Sequence, residues 1–285
     1  MSEKIISIEL KSLFGFIKKP DTNDGILISY NSLHKPGLLG ILGAIAGLSG
    51  FESFEKSPPS KQKKHADFSE ENLFGDLEKD DLINLPEYYR KLYDIKCAIR
   101  PVGVNTAVFK KSLIAYNNST GLASNETGGN LIVKEQMLIS PIYRVYIKVN
   151  SGNPLHEQIY DSLKSNEAVF LPYLGKNEFQ LWWDNFTEYK IEELEIPEAG
   201  YKIDSLFIKL DDSKITVTQK VNLFKKISSS PLFYFERLPV DYNLQLKNYE
   251  IKEFVLTDAI LSKDYIPENI CKISTGDSIK YIQLN

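Results

Sequence analysis

One helix-forming stretch constrains this chain more than any other, because it is apolar on nearly every face and rich in glycine. It covers residues 36–48, PGLLGILGAIAGL, and Pro36 suits the first turn of a helix, where a missing N–H lacks a partner anyway. Gly40, Gly43 and Gly47 fall at three- and four-residue spacing, which places them along one stripe. Each glycine destabilises a helix by roughly 1 kcal/mol relative to alanine. The stripe therefore predicts a helix whose backbone another element, most simply a sheet, approaches closely.

The start of this helix is a candidate anion site. Free backbone N–H groups, the positive end of the helix dipole and a cation would meet there, next to Ser32, His34 and Lys35. A buried core helix with no functional end is the alternative reading. A membrane-spanning helix is excluded, because the apolar run is shorter than the roughly 17–25 residues that a bilayer needs.

The rest of the chain alternates in a way that predicts an α+β fold. Strands are predicted at 3–17, 88–104, 139–149 and 168–174, and a second helix follows Asn153, a good N-cap, to about residue 164. Residues 104–137 read as a long β-hairpin, with arms at 105–116 and 131–137 and a tip of turn-forming residues. Without the hairpin, the order is β-α-β-β-α-β, the ferredoxin-like or RRM-like pattern. These strands show no aromatic pair of the kind that stacks bases in RRM domains, so base stacking is not predicted.

Two domains are predicted. The first covers residues 1–180 and includes a polar insertion at 51–87 as well as the hairpin. The second, residues 181–285, is a small β-rich domain with strands at 202–210, 215–220, 232–237, 248–257 and 279–284. Trp182, Trp183 and Phe186 are expected to pack this part against the first.

Charge and composition limit the function. The formal net charge is −4, which argues against a freestanding nucleic-acid binder. Residues 89–150 nevertheless hold nine Lys and Arg against three Asp and Glu. A protein that holds RNA inside a larger assembly would show this pattern, and so would an acidic enzyme with a basic hairpin. Cys97 and Cys271 predict neither a disulfide framework nor a zinc site, and no metal, cofactor or nucleotide motif is present. No segment resembles a signal peptide, so a cytoplasmic protein is expected.

Three ordered stretches carry a family resemblance. The first is the basic pair Lys18-Lys19 with residues 36–48. The second is Lys134–Leu138 followed by Pro141 and Tyr143–Tyr146, and the third is Phe170–Glu178. Together they resemble the signature of the CRISPR-associated protein family five, the RAMP-type subunit of type I CRISPR surveillance complexes (Cascade). The length and the extended C-terminal part are most similar to subtype I-B.

The resemblance implies a ferredoxin-like RAMP domain whose hairpin is a thumb, and a non-catalytic role in antiviral defence. Such a subunit binds and caps the five-prime handle of the crRNA. It also links the backbone subunits to the large subunit and meets target DNA indirectly. The RNA-binding residues would be Lys18, Lys19, Ser32, His34, Lys35, Gly37, Lys110, Lys111, Lys134, Gln136 and Arg144. Lys134 stands where the family has arginine, and Gln136 stands where it has tyrosine. The lysine keeps the positive charge of the arginine but loses its bidentate geometry.

Some relatives resemble a metal-independent endoribonuclease that processes precursor crRNA, and this is the alternative function. The chemistry needs a general base at the ribose hydroxyl and an acid or cation at the leaving oxygen. Tyr30, His34 and Lys35 form the candidate cluster for it.

Overall fold

The computed structural model describes residues 3–21, 25–50, 85–103, 107–118, 131–209, 224–226, 232–243, 246 and 248–285. Within these ranges the fold is mixed α+β, and most of the regular structure is strand. The helices are α1 (Lys35–Ala46), α2 (Glu87–Leu92) and α3 (Pro154–Ser165). None of the helices in the described ranges is long and apolar enough to cross a membrane.

The strands up to residue 192 are β1 (Glu3–Ser12), β2 (Phe14–Gly15), β3 (Ile26–Leu27), β4 (Cys97–Pro101), β5 (Lys111–Asn118), β6 (Leu131–Ile139), β7 (Ile142–Asn150) and β8 (Leu181–Glu192). The later strands are β9 (Phe207–Ile208), β10 (Phe224–Lys226), β11 (Phe233–Asn243), β12 (Asn248–Thr257), β13 (Ile260–Leu261), β14 (Ile270–Thr275) and β15 (Ser278–Gln283).

The largest sheet has six antiparallel strands in the order β15-β14-β8-β1-β7-β4. Four of them, β1, β4, β7 and β8, alternate along the chain with α1 and α3 in the order β-α-β-β-α-β. In space these four lie in the order fourth, first, third, second, so β1 and β7 are central. The long strand β8 was not predicted from the sequence.

The two faces of this sheet enter different cores. Ile6 and Ile8 of β1 pack with Leu42 of α1 in the main core, and all three are fully buried. Ile5 points the other way, into a smaller core with Ile282 of β15. Two backbone hydrogen bonds between Cys97 and Asn285, 3.1 and 2.9 Å long, join the margins of the sheet.

Helix α1 is specified by its two ends. His34 is the N-cap, and its Nδ1 accepts a 3.1 Å hydrogen bond from the N–H of Gly37. Gly47 has a left-handed backbone (φ +76°), which ends the helix after Ala46 rather than at the predicted Leu48.

The glycine stripe of α1 faces helix α2 at Gly40 and Gly43 and the segment around Val169 at Gly47, and not the expected sheet. A Cβ built on Gly43 would lie 2.4 Å from the Cβ of Tyr88 in α2, so only glycine fits this crossing. The expectation of a sheet at this position was wrong. It failed because spacing identifies a close approach but does not identify the approaching element.

One predicted strand is much shorter than expected and another is absent from the described structure. Of residues 88–104, the first few belong to α2 and only Cys97–Pro101 form a strand, β4; Glu87 near the start of α2 and Lys91 near its end complement the helix dipole. Residues 168–174 form no strand. The N–H groups of Val169 and Phe170 instead donate to the carbonyls of Ile45 and Ala44, at 3.1 and 3.0 Å, near the end of α1.

The later part of the chain follows the prediction more closely. The strand predicted at 248–257 is β12, the one at 232–237 overlaps the first part of β11, and the one at 279–284 corresponds to β15. The strand predicted at 202–210 is reduced to β9, and that at 215–220 lies outside the described residues, as do residues 51–84 of the insertion. Because β8, β14 and β15 hydrogen-bond within the same sheet as β1, that sheet crosses residue 180. The division into two domains stays a prediction.

Trp183 and Phe186 of β8 pack on α3. The indole N–H of Trp183 donates to the carbonyl of Leu163 at 2.9 Å, and the Phe186 ring meets that of Tyr160 edge-on, with centroids 5.6 Å apart. These contacts explain why a strand of mixed polarity joins the main core.

Candidate functional site

The strands β5 and β6 form the predicted antiparallel pair, in register from Lys111 opposite Leu138 to Asn118 opposite Leu131. The outgoing strand begins at Lys111, later than the predicted arm, and the tip at 119–130 lies outside the described residues. Because partners across an antiparallel ladder share a face, Lys111, Lys134 and Gln136 lie on one face of this pair.

The returning strand β6 is also paired with the chain on both sides of the basic pair Lys18-Lys19. Ile139 of β6 pairs with Phe14 of β2, and Lys134 pairs with Ile26 of β3. The N–H of Lys19 donates to the carbonyl of Ile28 at 2.9 Å, which closes the loop between β2 and β3. The basic pair is therefore carried on a loop that is hydrogen-bonded to the hairpin.

Lys176 fixes the other face of the hairpin. Its ammonium forms an ion pair with Glu135, whose side chain is only 4% exposed, and donates to the hydroxyl of Tyr116 at 2.7 Å. The preceding Gly175 has φ +85°, and a Cβ there would lie 1.7 Å from the carbonyl oxygen of Phe16. The turn predicted at this glycine thus holds Lys176 against the base of the hairpin.

Asn31 links the hairpin to the start of α1. Its side-chain amide donates to the carbonyl of Ala107 and accepts from the N–H of Phe109, both at 2.8 Å, just before β5. Its own carbonyl accepts from the hydroxyl of Tyr143 at 2.6 Å. The helix start and the base of the hairpin are consequently neighbours.

An anion from the chain itself lies beside the start of α1. The buried carboxylate of Glu236, on β11, accepts from the N–H groups of Asn31 and Ser32, both at 2.9 Å, and from the hydroxyl of Tyr234. The ammonium of Lys19 lies 3.7 Å from the same carboxylate. Glu236 thus binds backbone amides in the segment where the sequence predicts an anion site.

Lys111 belongs to the surroundings of Glu236. Burial lowers the pKa of Lys111; the nearby Glu236 opposes this shift and Lys19 adds to it. Lys19 is thus ion-paired with this carboxylate from the loop, and Lys111 lies within electrostatic range of it from the hairpin.

A cleft of about 500 Å³ opens between the loop, the start of α1 and the hairpin. Lys18, Tyr30, His34, Glu135, Lys176 and Tyr249 are among the residues that bound it. The rings of Tyr30 and His34 meet edge-on, with centroids 5.4 Å apart. Burial lowers the pKa of His34 to about 4 and raises the pKa of Tyr30 to about 12. Near pH 7 both side chains are therefore neutral.

Four of the predicted residues are buried or already engaged in contacts within the protein. Ser32 is fully buried, and the N–H of Gly37 is taken by His34. Lys35 lines a small, mostly apolar cavity beside Cys97, where burial lowers its pKa. Arg144 is ion-paired with Glu9 on the strand pair of β1 and β7, away from the hairpin.

The remaining predicted residues stay on the hairpin side. Lys18, Lys110 and Lys134 are exposed. The side-chain oxygen Oε1 of Gln136 is buried, and no hydrogen-bond partner for it lies among the described residues. The described ranges contain no group of His, Cys, Asp and Glu residues that could hold a metal ion.

Sequence reasoning missed Asn31, Lys176 and Glu236 as parts of this site. The alternation at Tyr234, Glu236 and Leu238 places an acid on the buried face of a strand, which is unusual and could have indicated an inward-facing carboxylate. Nothing local in the sequence indicates its partners, which lie about two hundred residues away.

No protein-family model and no curated protein matches the chain. Similar solved structures include a chain of a CRISPR RNA-guided surveillance complex, which is 10% identical, with 92% of this chain and 91% of that chain covered and a TM-score of 0.41. A CRISPR protein from Archaeoglobus fulgidus is 9% identical over 98% of this chain and 99% of that chain, with a TM-score of 0.42. A chain of the Type III-B Cmr-beta complex bound to cognate target RNA and AMPPnP is 10% identical, at 98% and 99% coverage and a TM-score of 0.49. At these identities and TM-scores the likeness carries no argument about what this chain binds.

Proposed function

We propose that this chain is a non-catalytic, RNA-binding subunit of a CRISPR surveillance complex. The observation that carries the proposal is the pairing of β6 with both β2 and β3, because it brings the Lys18-Lys19 loop next to the hairpin lysines. A negatively charged strand of RNA would lie along this basic side of the hairpin. The class of complex is inferred from the three ordered sequence stretches that resemble CRISPR-associated protein family five.

In detail, the proposal is a member of CRISPR-associated protein family five in a type I-B Cascade. The subunit would be a ferredoxin-like RAMP fold with β5 and β6 as the thumb, which the four-strand order of the largest sheet supports. It would cap the five-prime handle of the crRNA in the cytoplasm. It would also join the backbone subunits to the large subunit and act on target DNA only through them.

The phosphate contacts are assigned to exposed or half-buried lysines on the hairpin side: Lys18, Lys19, Lys110, Lys111 and Lys134. Lys19 and Lys111 already face Glu236, so their net attraction for RNA is smaller than that of two isolated charges. Lysines act as point charges without a fixed fork. Binding is therefore expected to depend strongly on salt.

The ionisation of the Tyr30–His34 pair supports the non-catalytic form of the proposal. General acid–base catalysis works best with a pKa near the working pH, whereas those of His34 and Tyr30 are shifted to about 4 and about 12. The ribonuclease alternative has a direct test, in which the protein is incubated with precursor RNA in EDTA. Specific cutting that disappears in His34→Ala would establish it.

The binding test compares two triple variants. Lys110→Ala/Lys111→Ala/Lys134→Ala is expected to bind handle RNA weakly, to assemble poorly with guide RNA, and to reduce the slope of log K against log salt by about 2. The control is Lys91→Ala/Lys164→Ala/Lys263→Ala, three lysines whose side chains are 53%, 55% and 43% exposed in surface ion pairs.

The measurement is fluorescence anisotropy of labelled single-stranded RNA over a range of salt concentrations. The control variant should match the wild type. Equal affinity of both triple variants at physiological salt, together with an equal slope over the salt range, would exclude the hairpin as the RNA site.

A further inference from the structure

Two aromatic rings lie side by side on the outer face of β11. Phe233 and Phe235 are 38% and 52% exposed, and their ring planes differ by only 8°, with centroids 6.5 Å apart. The alternate residues Tyr234 and Glu236 point inward to the start of α1. Successive residues of a strand point to opposite faces. Because Tyr234 and Glu236 are hydrogen-bonded on the inner face, the phenylalanines face outward.

A pair of exposed, near-parallel rings is a specific arrangement. Single exposed apolar side chains are common on protein surfaces, but adjacent ones often mark a binding site. Each ring offers a flat π-face, and base–aromatic stacking uses such faces without regard to base identity. The strands of the first predicted domain carry no aromatic pair of the RRM type, whereas this pair lies on a later strand.

The pair is continuous with the cleft. Arg237 follows Phe235 on the same face of β11 and is exposed. It is close enough to Tyr30 to affect the pKa of the Tyr30 hydroxyl. Two residues further, Pro239 lines the cleft. At about 3.3 Å per residue, Phe235 and Pro239 are about 13 Å apart along the strand, which a few nucleotides can span.

The charges around the pair favour bases over phosphates as its ligand. Arg237 lies opposite Glu253 in the β11–β12 ladder, and Lys209 lies 3.5 Å from the same carboxylate. Asp258 accepts from the N–H of Leu232 at 2.7 Å, which adds a negative charge beside Phe233. Two cations and two anions nearly cancel, so the distinctive feature of this surface is its aromatic faces.

We infer that Phe233 and Phe235 form a stacking subsite for unpaired bases of single-stranded RNA, next to the cleft. The inference rests on the proposed function, because the RNA would reach the rings through the cleft that Lys18 and Pro239 border. The subsite has no preference for a particular base, since only ring faces are offered. Paired bases are excluded, because their faces are covered within a duplex.

The test uses full-length protein and two RNAs, one single-stranded and one a duplex of the same sequence. Phe235→Leu keeps an apolar side chain but removes the ring, and it is expected to weaken binding of the single strand at least about fivefold. Phe235→Tyr keeps the ring and should stay within about twofold of the wild type. Affinity for the duplex should be the same in all variants.

Phe170→Leu is the matched control, because Phe170 is 53% exposed and lies beside the end of α1. It should bind the single strand as the wild type does. A fluorescent adenine analogue in the single strand should be quenched on binding to the wild type and to Phe235→Tyr, but not to Phe235→Leu.

Two results would overturn the inference alone, and a third would overturn it together with the proposed function. One is equal single-strand affinity of wild type, Phe235→Leu and Phe170→Leu while the hairpin lysine variant still loses binding, which leaves the proposed function intact. The other is a loss of association with a protein partner in Phe235→Leu in the absence of RNA, which would make the pair a protein-docking surface. If wild type binds no RNA at all, the proposed function fails and the subsite fails with it.

Discussion

At the scale of single residues, Glu236 is the side chain on which the site most depends. Glu236→Ala leaves the buried N–H groups of Asn31 and Ser32 without their acceptor, and an unpaired buried group costs about 1–3 kcal/mol. The free energy of unfolding should fall by about 2–4 kcal/mol in urea titrations. Glu253→Ala, whose side chain is 47% exposed, should change it by less than about 1 kcal/mol. Equal losses would show that Glu236 is an ordinary surface ion-pair member.

Gly175 tests the fit of a single backbone position. Gly175→Ala would place a Cβ 1.7 Å from the carbonyl oxygen of Phe16 and also strain a left-handed backbone. The midpoint of thermal unfolding should fall steeply, with a loss of about 3 kcal/mol or more in stability. Gly276→Ala provides the comparison, because it is also left-handed but has no heavy atom within 4 Å, so about 1 kcal/mol is expected. Similar losses in both would mean that the Phe16 contact relaxes easily.

His34 should make stability depend on pH. Its pKa is about 4 in the folded chain against an ordinary 6.5, so the unfolded chain binds the proton more tightly. The contribution of neutral His34 to the free energy of unfolding is complete above pH 6.5. It falls by about 3 kcal/mol as the pH falls towards 4. His34→Asn retains a good N-cap without the titration and should show a flatter profile of urea midpoint against pH. Parallel profiles would contradict the lowered pKa.

At the scale of elements, the base of the hairpin should depend on Lys176. Lys176→Met leaves Glu135 buried without its cation, which costs about 3–5 kcal/mol when a buried pair is broken. Because the pair joins the hairpin to the Gly175 turn, amide exchange should accelerate first in β5 and β6. Hydrogen–deuterium exchange measures this, and Lys263→Met, in an exposed pair with Glu198, should leave the rates unchanged. Uniform acceleration across β1 and β7 would argue against a local anchor.

The elements that sequence reasoning predicted well are those specified locally. Asn153 caps α3 through a 3.0 Å hydrogen bond from Leu155, and alternation specifies β12 and both strands of the hairpin. These signals lie within one segment and need no knowledge of its neighbours. They were sufficient for the order of the principal elements up to residue 165, namely β1, α1, β4, the hairpin, β7 and α3, but not for β2, β3 or α2.

Elements specified by distant partners were missed. Residues 168–174 have the composition of a strand, but the N–H groups of Val169 and Phe170 bind the end of α1 instead. Helix α2 is short, and its Tyr88 packs where Gly43 of α1, lacking a Cβ, leaves room for it. For the site, the lysines were visible because charge is a local property. The carboxylate of Glu236 was not visible, because its function depends on Asn31 and Ser32, which precede it by 205 and 204 positions in the sequence.

At the scale of the whole molecule, the shared sheet predicts cooperative unfolding. β8, β14 and β15 complete the sheet that β1 and β7 begin, and Trp183 of β8 is bonded to α3. Tryptophan fluorescence, which reports on β8, and far-ultraviolet circular dichroism should therefore give one coincident transition in urea. Two separated transitions would support independent domains on either side of residue 180.

The joined margins of that sheet also affect how the molecule meets its own copies. Strands at a free margin present unsatisfied amides and carbonyls, on which another chain can template. The bonds between Cys97 and Asn285 occupy these groups where β4 and the end of β15 come together. Another strand therefore cannot add to the sheet at this seam, so contacts with further copies are expected to use side-chain surfaces instead.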